Sequence, residues 1–188
     1  MIDDVPSLFV VEWLPRVAAL VDPQAACDEL VEPRALDLAM GRGRHAPMLA
    51  HAGFRAFGVD VKLDAVRDAV VRARADALVV RGWCADLTQT ALPRAVFDVV
   101  LVTRYLQRDL FPSIRDTVKA DRVVMYETFT VNQRRLGFGP TSSDHLLEPG
   151  ELLQRFEGFE VLLYEEVEAP EAVARIVARR PALAGLSA

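Results

Sequence analysis

The chain has 188 residues, 52% of them apolar or aromatic and 26% charged, which is enough for one substantial core and leaves little room for a second domain. Lys and Arg number 22 against 27 Asp and Glu, and the net charge of -5 provides no positive field to gather a nucleic-acid backbone or an anionic membrane, so neither partner is expected. Two cysteines, Cys27 and Cys84, exclude a disulfide scaffold, and Asp3 and Asp4 stand where a secretory signal would carry positive charge; the chain reads as a soluble, unprocessed cytoplasmic protein.

Residues 8–20 carry Phe9, Val10, Trp13, Leu14 and Val17 at helical spacing, and the polar, turn-rich segment 22–33 then wraps toward a first strand. That strand, Ala35 to Ala39, holds one acid, Asp37, and runs into Gly41-Arg42-Gly43-Arg44. Helical spacing resumes over 45–52, followed by a second strand over 54–59 that ends at Asp60 and a helix over 63–77. A third strand over 78–85 and a fourth over 96–103 lead to a helical crossover over 105–118 and a fifth strand over 122–128. The next stretch, 130–149, lacks periodicity and is long enough to serve as a functional cover. A short helix over 149–156 precedes two apolar runs, 159–164 and 173–178, too close together for a crossover helix and therefore paired as an antiparallel hairpin. Strands alternating with helices at this period predict a mostly parallel sheet of seven strands covered on both faces.

The chemistry concentrates at strand ends. Glycines at a strand-to-helix junction let backbone approach a ligand, with amides at the helix start free to receive oxygen atoms. Gly41, Gly43 and Ala46 also satisfy the loose dinucleotide pattern, so the turn alone leaves the ligand open. Asp60 follows Gly43 by 17 positions, where a carboxylate can accept both ribose hydroxyls, and Asp86 ends the third strand with Ala85 and Leu87 beside it. Asp37, Asp60 and Asp86 thus fall at the carboxyl ends of three successive strands, the edge where open parallel sheets bind ligands. Cys84, ending an apolar strand, is expected as a small buried hydrophobe. His45, His51 and His145 lack metal-ligand spacing, and no metal site is expected.

The run Leu36 to His45 resembles the first motif of the class I S-adenosylmethionine-dependent methyltransferases, and Gly58-Val59-Asp60 and Ala85-Asp86-Leu87 resemble their second and third. The resemblance extends from Ala35 to Arg179. It implies an α/β fold, a three-layer Rossmann-like sandwich whose seven-stranded, mostly parallel sheet ends in an antiparallel hairpin. Tyr126 to Thr130 together with Leu146 to Leu152 look like the small branch that contains the tellurite-resistance and thiopurine-type methyltransferases.

The resemblance implies S-adenosyl-L-methionine as cofactor and a small-molecule methyl acceptor as partner, within a single domain over 1–188 that has an N-terminal helical cover over 1–33 and a substrate-side loop over 130–149. Asp37 would meet the methionine amino group, with Ala39, Gly41 and Gly43 lying along the methionine portion. Asp60 with Val61 would hold the ribose, Ala85, Asp86 and Leu87 would frame the adenine, and Thr103 would stand near the sulfonium. The family commonly has glycine where Ala39 stands and a smaller residue where Met40 stands, so the cofactor must tolerate both. On the acceptor side, Arg104, Tyr105, Glu127, Arg134 and His145 are the candidate catalytic residues, as oxyanion holders or proton acceptors. Two rivals remain at this point: a nicotinamide-dependent oxidoreductase, disfavoured by Asp37 and the closing hairpin, and a noncatalytic S-adenosylmethionine-binding protein. The sequence leaves monomer and homodimer open.

Overall fold

The computed structural model describes residues 5–21 and 32–182; Cys27 and nearly all of the expected wrapping segment lie outside the described residues. Seven strands form one sheet: β1 (Arg34–Leu38), β2 (Arg55–Asp60), β3 (Val80–Cys84), β4 (Phe97–Thr103), β5 (Val118–Phe129), β6 (Glu160–Val167) and β7 (Val173–Arg179). Their order is β3-β2-β1-β4-β5-β7-β6. The first five run parallel, and β7 pairs antiparallel with both β5 and β6, as expected from the short connection between the last two strands. Strand order reverses between β1 and β4, which opens a crevice at their carboxyl ends.

Alternation along the strands divides the core into two layers. On one face Ala35, Val99, Leu101, Val123 and Met125 pack against α1 (Leu8–Val21), α2 (Ala46–His51) and α3 (Leu63–Ala75), which contribute residues such as Phe9, Leu14, Leu49 and Val66. On the other, Leu36, Leu38, Val100, Val102, Val124 and Tyr126 meet Phe111 and Ile114 of α4 (Phe111–Thr117) and Leu152 of α5 (Glu151–Arg155). Phe111 stacks on Tyr126 with ring centroids 5.3 Å apart, and Phe156 meets both edge-on.

Three local expectations are revised. The crossover expected over 105–118 is a single 3-10 turn, Arg108–Leu110, followed by the short α4, whose first turn holds Pro112, a residue without an N–H to continue an earlier helix. β5 begins at Val118 rather than Arg122, and its pairing with β4 shifts register between Phe97 and Val99. Cys84 is exposed, because β3 is an edge strand whose outward positions are uncovered; its Sγ donates to the Val61 carbonyl at 3.3 Å.

Candidate active site

A cavity of about 610 Å³ opens at the β1/β4 switch point. Ala39, Gly41, Asp60, Val61, Ala85, Asp86, Leu87, Thr103, Arg104 and Tyr105, all expected from the sequence, lie on its wall. Sequence reasoning did not assign Met40, Arg42, Arg44, Lys62, Asp64, Ala65 and Thr88 to the site, yet they line it too; each stands within a few positions of a residue that was expected. Gly43 sits behind the wall. Its φ is +76°, and a Cβ there would come within 2.5 Å of Ala69 Cβ, so the absence of a side chain lets the loop lie directly on α3. Ala39 adopts the left-handed conformation with φ 56° where glycine would carry no steric cost.

Met40 resolves one of the expected difficulties. Met40 is itself on the cavity wall, and its side chain packs into the helical layer, where a Cβ on Gly58 would fall 2.0 Å from its sulfur and a Cβ on Gly82 3.2 Å from its terminal methyl. Two strand glycines supply the room, and the bulk at position 40 is taken up by the core.

The rim acids differ in their surroundings. Asp60 accepts the Gly41 amide on Oδ2 and the Lys62 amide on Oδ1, both at 2.9 Å. A carboxylate has about four acceptor positions, so both oxygens keep capacity for a diol. Asp86 is exposed; Oδ1 accepts the Thr88 hydroxyl at 2.7 Å and the Thr88 amide at 2.8 Å, and these bonds lower its pKa. Asp37 is not on the cavity wall: it is 1% exposed, packed behind the lining residues. Burial pushes its carboxyl up to about 7, opposed by Arg44 and by the Ala46 amide and assisted by Asp60. Its Oδ2 is, among the described residues, the buried side-chain polar atom that lacks a hydrogen-bond partner.

The acceptor-side candidates do not converge. Arg104, with φ 53°, donates from Nη2 to both carboxylate oxygens of Glu171 at 2.8 and 2.7 Å and stands 5.8 Å from the Phe129 ring centroid. The Tyr105 hydroxyl donates to Gln107 Oε1, and its pKa is raised by burial first and then by Asp86, Asp109 and Asp60. Glu127 is buried away from the cavity wall and accepts Arg175 Nε at 2.6 Å across the β5–β7 pair. Arg134 is exposed and ties its own loop by donating to the Thr141 carbonyl at 2.9 Å. His145 is exposed in the 3-10 turn Ser143–His145, also off the cavity wall. Arg108 instead holds this segment in place, donating to the Ser143 and Leu146 carbonyls and to both oxygens of Glu151.

S-adenosyl-L-methionine presents a ribose diol, an adenine ring and an ammonium group. The residues present fit it: Asp60 has spare acceptor capacity, Ala85 and Leu87 offer an apolar surface, a Cβ on Gly41 would meet open space, and Asp37 holds an unused buried oxygen.

Residues 35–121 match the family model described as a methyltransferase domain. No curated protein matches the chain in sequence. Among solved structures, the chain is similar to an S-adenosylmethionine-dependent methyltransferase from Mesorhizobium loti, with 19% identity and a TM-score of 0.64 over 88% of this chain and 98% of that one. TehB from Haemophilus influenzae matches with 15% identity and a TM-score of 0.67 over 86% of this chain and 61% of that one. The [4+2]-cyclase SpnF matches with 18% identity and a TM-score of 0.68 over 90% and 81% respectively. The fold is the one shared by these structures, and residues 35–121 are the part of the chain that matches the methyltransferase-domain model.

Proposed function

We propose that the protein methylates a small-molecule acceptor of the thiol or selenium and tellurium oxyanion class by direct in-line displacement. The cofactor supplies a methyl group made electrophilic by its sulfonium. The chain's own task is to hold and orient: Asp37 would take the ammonium, Asp60 with Val61 the ribose, and Ala85, Asp86 and Leu87 the adenine, while Ala39, Gly41 and Gly43 shape the loop and Thr103 lies beside the reacting groups.

The observation that carries the acceptor class is that the candidate bases are engaged or lie elsewhere. Glu127 is in a buried ion pair, the Tyr105 pKa is raised, and His145 lies off the cavity wall. An acceptor that is already anionic or polarizable needs no protein base. The two segments that resemble the tellurite-resistance and thiopurine-type branch also meet in space: Thr130 bridges Leu147, with Leu147 N donating to Phe129 O at 2.9 Å. The free, exposed Cys84 thiol suits a reducing cytoplasm.

The test is formation of S-adenosylhomocysteine with a panel of thiols, selenite, tellurite, phenols and amines. The proposal expects turnover of the first three classes, with thiol rates following the thiolate fraction of the acceptor. Turnover confined to amines or phenols would refute the acceptor class, and no turnover with measurable cofactor binding would favour a noncatalytic binding protein.

A further inference from the structure

Thr103 ends β4 on the cavity wall, and its hydroxyl oxygen is held from behind by two groups. His45 Nδ1 lies 3.2 Å from Thr103 Oγ1, and Arg44 Nη2 donates to the same oxygen at 3.4 Å. The other ring nitrogen, His45 Nε2, accepts the backbone amide of Ser7 at 3.0 Å, at the entrance to α1. An amide N–H can only donate, so Nε2 carries no proton. A neutral imidazole has one N–H, which then sits on Nδ1 and is donated to Thr103. His45 is neutral: its ring is buried, and burial, Arg44 and Arg104 hold its pKa down at about 3.

A threonine hydroxyl has two acceptor positions and one proton. With His45 and Arg44 taking both positions, the proton of Thr103 must be given to something else, and no acceptor among the described residues takes it. We propose that His45 is a positioning residue: the Ser7 amide fixes its tautomer, and through Nδ1–H it makes the Thr103 hydroxyl a dedicated donor to an oxygen of the molecule in the cavity. The class of group is a carboxylate, because Arg44 lends positive charge at the same point. That carboxylate comes either from the amino-acid end of the methyl donor or from the acceptor. Only this identity of the ligand rests on the methyltransferase reading; the tautomer follows from the protein's own contacts.

The tautomer is read directly by long-range proton–nitrogen NMR on the unliganded protein with labelled histidine. A protonated Nδ1 with a bare Nε2 at His45 is expected, and a protonated Nε2 overturns the proposal whatever the protein binds. Calorimetry then compares S-adenosylhomocysteine with 5′-methylthioadenosine, which lacks the carboxylate. For Thr103→Val, a loss of roughly tenfold in affinity for the former alone assigns the carboxylate to the donor. Unchanged affinity for both, with a raised KM for the acceptor, assigns it to the acceptor. Thr103→Ser restores the wild-type value in either case, and a Thr103→Val protein with neither change overturns the proposal. His45→Phe weakens the same ligand and adds nothing in combination with Thr103→Val; additive losses would show that His45 does not act through Thr103.

Discussion

Asp60 and Gly41 are joined by a 2.9 Å hydrogen bond from the loop amide to the rim carboxylate, so the residue proposed to hold the ribose also holds the backbone proposed to face the methionine portion. One side chain therefore serves two tasks, and a substitution separates them. Asn keeps an oxygen for the Gly41 amide, but its NH2 replaces the oxygen that accepts the Lys62 amide and offers no acceptor there to a diol. Asp60→Asn is expected to cost about 1–1.5 kcal/mol of stability and to weaken S-adenosylhomocysteine by at least tenfold. Asp60→Ala should add a loss of about 1–2 kcal/mol in stability from the freed loop amide. Equal affinity of Asp60→Asn and wild type in calorimetry would remove Asp60 from the ribose site.

Gly58 faces Met40 so closely that a Cβ would meet the sulfur at 2.0 Å. Gly58→Ala should destabilise by about 1–3 kcal/mol through overpacking. Shortening the neighbour in Met40→Ala leaves a cavity and costs about 2–4 kcal/mol alone. The double variant is expected to be more stable than the sum of the two losses predicts, measured by urea unfolding. Strict additivity would mean that the Met40 side chain does not occupy the space beside Gly58.

The sheet was legible because its apolar runs and turn residues repeat at the period of strand and crossover, and the final hairpin followed from the short connection before Val173. The placement of the three acids was legible for the same reason: Asp37, Asp60 and Asp86 stand at or just past the carboxyl ends of β1, β2 and β3, whose position in a parallel sheet is fixed by topology. The start of β5 was not, because Val118 to Asp121 interleaves two charged residues with apolar ones and its backbone departs from a regular strand at Asp121, where φ is 57°. The partners of the acceptor-side residues were hidden by chain separation. Glu171 lies 67 positions from Arg104, and Arg175 lies 48 from Glu127; local pattern carries no information about such pairs. His45 read as a lone histidine without metal spacing, since its partners Ser7 and Thr103 come from distant segments.

Glu151 clamps the segment that follows β5. Burial opposes its ionisation, but hydrogen bonds from Arg108, Arg155 and the Glu148 amide outweigh it and bring the carboxyl down to about 2. Because the folded value lies below the ordinary one of 4.5, its stabilisation is present above pH 4.5 and is lost as the pH falls toward 2. Glu151→Gln should cost about 2–3 kcal/mol at pH 7 and flatten that part of the acid-unfolding profile. A variant as acid-sensitive as wild type would show that the clamp does not titrate with unfolding.

Asp37 has the opposite sign. Its folded carboxyl, raised from 3.8 to about 7 chiefly by burial, contributes stability that is fully present below pH 3.8 and is lost as the pH rises through 7. At about 1.36 kcal/mol per unit, the loss is roughly 4 kcal/mol by pH 8, an expense the unliganded protein carries because Oδ2 has no partner. Asp37→Asn removes the titration but buries an amide, at a cost of about 1–3 kcal/mol. The variant should therefore gain on wild type as the pH rises from 5.5 to 8.5, and match or exceed it at the upper end. Ligand reverses the order. An ammonium group beside the carboxylate favours its charged form, so S-adenosylhomocysteine should raise the Tm of wild type at pH 8.5 by several degrees and that of Asp37→Asn by much less. A Tm difference between the unliganded proteins that stays constant from pH 5.5 to 8.5 would place the Asp37 titration outside this window. An equal ligand-induced shift in both would remove Asp37 from the amino-group site.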